Sequence, residues 1–167
     1  MPAIIRPYDS RDFPALFKLD QTCFPPGIAY TKTGLRYFLG LDGAQCLVSV
    51  EEGRIIGFVL ADENAPLAHI ITLDVAESHR RGGVGSQLLH DMETTLIARS
   101  VKAILLETAT TNDAAVAFWK RHGYRIEAVL KRYYLGRMDA YEMRKLLAGA
   151  PQPVSERKRA IQPGEKN

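Results

Sequence analysis

The chain has 167 residues, 46% of them hydrophobic and 25% charged, with 22 Lys+Arg against 19 Asp+Glu for a formal net charge of +3. That length predicts one domain, and the composition excludes a disordered, collagen-like or disulfide-scaffolded chain. A charge of +3 is too small to point to nucleic acid, and no apolar run approaches the ~18–20 residues of a membrane span.

The opening MPAIIRPYDSRDF lacks a cationic start followed by an apolar core, so no signal peptide is expected. Cys23 and Cys46 match no metal spacing and sit among apolar neighbours. They read as buried free thiols of a cytoplasmic protein, and no metal is expected.

In chain order, Ala3-Ile4-Ile5 opens a strand. Asp12 is then expected to cap a helix whose apolar face is Phe13, Leu16, Phe17 and Leu19, and Phe24-Pro25-Pro26-Gly27 breaks it. A second helix is expected over 33–39. Strands over 45–51 and 54–61 flank a tight Glu52-Gly53 turn and predict a hairpin. The next strand, 67–75, places His69, Ile71, Leu73 and Val75 on one face by alternation. A helix over 84–98 follows, with Val84, Leu88, Met92 and Leu96 at helical spacing. After a strand over 102–108, Asn112 caps a helix that stops at Gly123. Strands over 124–131 and 138–146 complete the order β-α-α-β-β-β-α-β-α-β-β. That order predicts an α+β fold rather than a doubly wound one. The stretch 149–167 holds three prolines, four basic and two acidic residues and almost nothing apolar. It reads as a flexible basic tail, leaving 1–148 as the domain with a net charge of only +1.

The most informative segment is Val75-Ala76-Glu77-Ser78-His79-Arg80-Arg81-Gly82-Gly83-Val84-Gly85-Ser86. A strand ends, a basic glycine-rich turn follows, and a helix begins. Glycines let successive backbone N–H groups point into one cavity, and the helix start adds partial positive charge. The result is an anion site suited to phosphate, with Arg80 and Arg81 as further donors. A Walker A loop would need a lysine that is missing, and the spacing is not that of a Rossmann fingerprint.

Arg80-x-x-Gly83-x-Gly85 between a strand and a helix resembles the acetyl-CoA-binding motif of the GNAT superfamily of N-acetyltransferases. The run from Leu106-Glu107-Thr108 through Asn112 and Phe118-Trp119 to Gly123-Tyr124 is similar to the second signature of that superfamily. The element order matches from about residue 3 to 147, leaving the tail outside. Within the superfamily, Thr72-Leu73, His79-Arg80-Arg81, Lys131-Arg132-Tyr133-Tyr134 with Asp139-Ala140, and Phe24-Pro25 resemble the branch that acetylates protein N-termini, including ribosomal-protein alanine N-acetyltransferases.

The resemblance implies a mixed, mostly antiparallel sheet of about six to seven strands with helices on both faces. It implies that acetyl-CoA lies between the strands 67–75 and 102–108. Leu73 and Val75 would bind pantetheine, and Arg80, Arg81, Gly82, Gly83, Val84, Gly85 and Ser86 the pyrophosphate. Asn112, Ala115, Phe118 and Trp119 would line the other wall, and Phe24, Pro25, Tyr30, Tyr133 and Tyr134 would meet the acceptor. The family's tyrosine facing the sulfur is here Trp119, whose indole donates a hydrogen bond but does not titrate usefully. Asn112 equally suits a simple helix cap.

Acetyl transfer needs a neutral amine. Deprotonating a lysine near 10.4 at pH ~7.4 costs about 4 kcal/mol, whereas an α-amine at roughly 7.7–8.0 costs less than about 1 kcal/mol. A glutamate acting directly or through water is therefore sufficient for an N-terminal substrate. Glu107, near the end of an apolar strand, is the first candidate base, with a salt-bridged strand glutamate as the bland alternative. His69 on the facing strand is the second, with a satisfied core histidine as its alternative. The expected partners are acetyl-CoA and a protein or peptide N-terminus, the chain acting as monomer or homodimer. A small-molecule amine, or a CoA-binding sensor without turnover, are the competing readings.

Overall fold

The computed structural model describes residues 2–147. The expected tail, 149–167, lies outside them. Seven strands and four helices follow in the expected order: β1 (Ile4–Pro7), α1 (Phe13–Cys23), α2 (Lys32–Leu39), β2 (Ala44–Glu51), β3 (Arg54–Asn64), β4 (Leu67–Val75), α3 (Val84–Ala98), β5 (Ala103–Ala109), α4 (Asp113–Arg121), β6 (Arg125–Tyr134) and β7 (Met138–Leu146). The strands form one sheet in the order β1-β2-β3-β4-β5-β7-β6. Only β4 and β5 run parallel. The expected α+β, mainly antiparallel sheet is therefore present.

The hairpin forms because Glu52 and Gly53 both take positive φ, 49° and 76°, which matches the twist of the flanking strands. Two apolar cores flank the sheet. On one face α3 and α4 bring Leu88, Leu89, Met92, Leu96 and Trp119 against Val59, Ile70 and Leu106. On the other, α1 and α2 bring Leu16, Leu19 and Leu35 against Val48, Phe58 and Leu60. β3 feeds both cores by alternation, and each large aliphatic so buried contributes about 1.5–3 kcal/mol.

Three local expectations are corrected. Asp12 stands at the N-cap of α1 but makes no side-chain cap bond. Its carboxylate instead receives both guanidinium nitrogens of Arg6, at 2.7 and 2.9 Å, and the Asp9 amide at 2.8 Å. Charge pairing across β1 outcompetes a neutral amide at the helix start. Second, the alternation along β4 breaks. The register with β3 passes from Leu60↔Thr72 to Ala61↔Ile70, leaving Ile71 as an extra residue. A bulge of this kind turns the following side chains over. Ile71 accordingly packs with the α1–α2 core and Leu73 with the α3–α4 core, not together. Third, Tyr133 and Tyr134 end β6 rather than lying beyond it.

Candidate active site

β4 and β5 pair only through Leu67↔Ala103, Ala68↔Ile104 and His69↔Leu105. Beyond His69 they diverge, because β4 carries its bulge at Ile71 while β5 stays in register with β7 to the Ala109↔Ala140 pair. The opened seam is a cleft of about 410 Å³. Leu73, Asn112, Ala115 and Trp119 line it on the helix side, and Phe24, Pro25, Tyr30 and Tyr134 on the loop side, with Glu107 between. His69, Tyr133, Val75, Phe118 and residues 80–86 are not among the residues lining this cleft.

Glu107 and His69 are brought into contact. His69 Nε2 lies 2.7 Å from Glu107 Oε1, and the Tyr133 hydroxyl donates to the same oxygen at 3.2 Å. The Glu107 side chain is 6% exposed and that of His69 31% exposed, so the carboxylate is buried and the imidazole partly open to solvent. Burial, and then the Glu107 charge, push the Tyr133 phenol well above its ordinary value. Burial does the same for Tyr134 and Tyr30. All three therefore stay neutral hydroxyls at physiological pH.

Tyr30 is held at both ends. Its amide donates to Asp20 Oδ2 at 2.7 Å and its hydroxyl to the Ile71 carbonyl, which the bulge presents, at 3.4 Å. On the opposite lip the backbone kinks, with φ of 55° at Arg132 and 57° at Leu135. Asp139 secures the kink by accepting from the Arg132 amide at 3.0 Å and the Lys131 ammonium at 3.2 Å. Those two bonds hold its carboxyl below the usual range.

In the glycine-rich turn Arg81 and Gly83 have φ of 65° and 87°. A Cβ placed on Gly83 meets nothing within 4 Å, so the space beside its Cα is open. Gly85 serves packing instead, since its Cβ would stand 3.4 Å from the Phe118 ring. The Arg80 side chain turns back, Nε donating to the Val75 carbonyl at 3.1 Å and Nη2 approaching Cys23 Sγ at 3.6 Å. Ser86 Oγ lies 3.0 Å from His122 Nε2. Burial, together with Arg121, lowers the His122 pKa. Asn112 does cap α4, accepting from the Ala115 amide at 3.2 Å. Trp119 is buried edge-to-face against Phe118 and Tyr124. Both cysteines are free and half-buried.

Sequence reasoning missed the Tyr133–Glu107 bond, the buried acids Asp20 and Asp74, and the His122–Ser86 contact. Of these, only the pair of tyrosines beside a candidate base gave a signal.

A split sheet with one parallel pair at the split, and a glycine turn opening a helix beside it, defines an acyltransferase of the N-acetyltransferase type. The profile of the Acetyltransferase (GNAT) family matches residues 13–124. The chain belongs to that family and is an acyltransferase enzyme. An N-terminal acetyltransferase complex ARD1 subunit homolog of Dictyostelium discoideum is 28% identical over 163 residues, covering 95% of this chain and 80% of that one. An uncharacterized N-acetyltransferase of Methanocaldococcus jannaschii is 29% identical over 152 residues, covering 90% and 96%. Among solved structures, Ard1 from Thermoplasma volcanium aligns with a TM-score of 0.81 at 26% identity over 89% of this chain and all of that one. Arabidopsis thaliana NAA60 in complex with acetyl-CoA shares the fold, with a TM-score of 0.77 at 21% identity over 88% and 99% of the two chains. Among the described residues no helix is long and apolar enough to cross a membrane.

Proposed function

We propose that the protein moves the acetyl group of acetyl-CoA to the α-amine of a protein or peptide N-terminus, by direct attack within a ternary complex. The observation that carries this reading is the buried Glu107 carboxylate, bonded to His69 and Tyr133 where β4 and β5 part. The relatedness to N-terminal acetyltransferases supports the choice of acceptor.

Residues of this chain suit acetyl-CoA. The open space at Gly83, the N-cap of α3, leaves room for a pyrophosphate at the helix start, whose backbone amides offer donors. The edge of β4 at Leu73 and Val75 offers backbone groups to pantetheine amides, with Asn112, Ala115, Phe118 and Trp119 forming the facing wall. Acetyl-CoA supplies an activated thioester. The α-amine nitrogen attacks the thioester carbon, the new C–N bond forms, and the C–S bond breaks with its electrons leaving on sulfur. The proton released from nitrogen passes to the Glu107–His69 pair. A proton from water completes the thiol, since Trp119 has none to give usefully. An α-amine needs under about 1 kcal/mol to shed its proton near pH 7.4, which one carboxylate–imidazole pair can accommodate. The neutral hydroxyls of Tyr30, Tyr133 and Tyr134 can bond the peptide backbone, with Phe24 and Pro25 packing on its first side chain.

A panel of peptides with free N-termini and of small amines, assayed for CoA release, tests this. Turnover with free-N-terminus peptides is expected, and turnover with small amines alone would replace the acceptor.

A further inference from the structure

Asp20 on α1 and Asp74 on β4 are 0% and 1% exposed. Each carboxyl has one oxygen bound to a donor: Asp20 Oδ2 receives the Tyr30 amide at 2.7 Å, and Asp74 Oδ1 receives the Thr72 hydroxyl at 2.5 Å. Asp20 Oδ1 and Asp74 Oδ2 are buried and meet no donor from the other described residues. The two carboxyl groups neighbour each other where α1 packs on β4. Two ionised carboxylates offer only acceptors, so a proton held between them would satisfy the two orphaned oxygens. The mechanism above does not use these residues.

We propose that Asp20 and Asp74 share one proton across the α1–β4 interface, and that this shared proton clamps the loop 24–30, and so Tyr30, onto the acceptor side of the cleft. The role assigned to the loop rests on the amine-site reading given above. Asp20 and Asp74 are positioning residues: they act through Tyr30, whose amide one of them binds and whose hydroxyl reaches the Ile71 carbonyl.

The groups facing the pair are Cys23 from α1, Tyr30 from the loop, Cys46 from β2, Thr72 from β4 and Arg80 from the turn. Arg80 is the only cation among them, and it is bonded to the Val75 carbonyl and Cys23. Its charge favours ionisation of Asp74, but burial outweighs it, and Asp74 titrates well above the usual carboxylate range. Burial also raises Asp20. Both acids have raised values in the folded state, so their contribution to stability is complete below the ordinary carboxylate range. It is lost as pH rises through the raised values. Once the second proton leaves, two carboxylates face each other without solvent and the clamp opens.

Asp74→Asn and Asp74→Leu, compared with the unaltered enzyme, test the proposal. In Asp74→Asn the amide donates to Asp20 at every pH. Melting temperature should then decline less steeply with rising pH than in the unaltered protein. The ratio of peptide KM in the unaltered enzyme to that in Asp74→Asn should climb on the alkaline side, a ratio from which the titration of the amine itself cancels. In Asp74→Leu the peptide KM should rise about tenfold at neutral pH, as expected for losing a bond to a charged group. The acetyl-CoA KM should move less than about twofold, the scale of ordinary surface effects. Parallel melting profiles for the unaltered and Asn forms would overturn the shared proton. A flat KM ratio, or an acetyl-CoA KM that moves as far as the peptide KM, would overturn the clamp. If no peptide is acetylated at all, the acceptor assignment falls, while the melting profiles still decide the proton.

Discussion

His69 Nε2 stands 2.7 Å from Glu107 Oε1, spanning the point where β4 and β5 stop pairing. The bond joins residues 38 apart in the chain and puts a partly exposed imidazole in line with a buried carboxylate. Such a pair can take a proton beside the cleft that Glu107 lines and keep the resulting charge compensated. Glu107→Gln keeps the shape and removes the basicity. It should lower kcat by about 10²- to 10³-fold, the usual scale for removing a general base. Acetyl-CoA affinity by calorimetry should stay nearly unchanged, and an unaltered kcat would remove Glu107 from the mechanism.

Asp139 holds the kink that aims Tyr133 and Tyr134, through the Arg132 amide and the Lys131 ammonium. Asp139→Ala should raise peptide KM about three- to tenfold, as for loss of one or two exposed charge-assisted bonds. The acetyl-CoA KM should hold, which steady-state kinetics with each substrate varied in turn will show.

The Gly83 position combines a φ of 87° with open space where a side chain would stand. Gly83→Val adds a side chain into that space and a backbone strain of about 1–2 kcal/mol. Acetyl-CoA binding should vanish in calorimetry while circular dichroism still reports a folded chain. Normal binding would move the pyrophosphate elsewhere.

Much of this was legible locally. The hairpin turn, the glycine turn and the Asn112 cap each depend on a few adjacent residues, and all three stand where the sequence places them. The face assignments along β4 failed at Ile71, because a bulge depends on the partner strand and not on the strand's own alternation. Asp12 was misread because Arg6, six residues away, competes for its carboxylate. Asp20 and Asp74 gave no signal at all, since nothing but the packing of α1 on β4 brings two acids together out of water. Glu107 and His69 were each visible as candidates, but their contact belongs to the tertiary register of β4 and β5.

The Arg6–Asp12 pair gives the fold a defined response to acid. Asp12 is held below the usual carboxylate range by its bond to Arg6, so its contribution to stability is present above the unfolded value and lost as pH falls through the folded one. The Arg6 side chain is 42% exposed, which weakens the pair through solvent screening. Arg6→Ala should cost about 1 kcal/mol at pH 7, measured by urea denaturation. The cost should shrink toward zero in strong acid, once Asp12 is protonated in both forms.

The most direct test of the account places the acetyl group itself. A peptide carrying one free α-amine and one internal lysine is incubated with acetyl-CoA and the enzyme, then fragmented in a mass spectrometer. The account predicts acetyl on the N-terminal residue, lost with Glu107→Gln. Acetyl on the lysine alone, or full N-terminal transfer by Glu107→Gln, would contradict it.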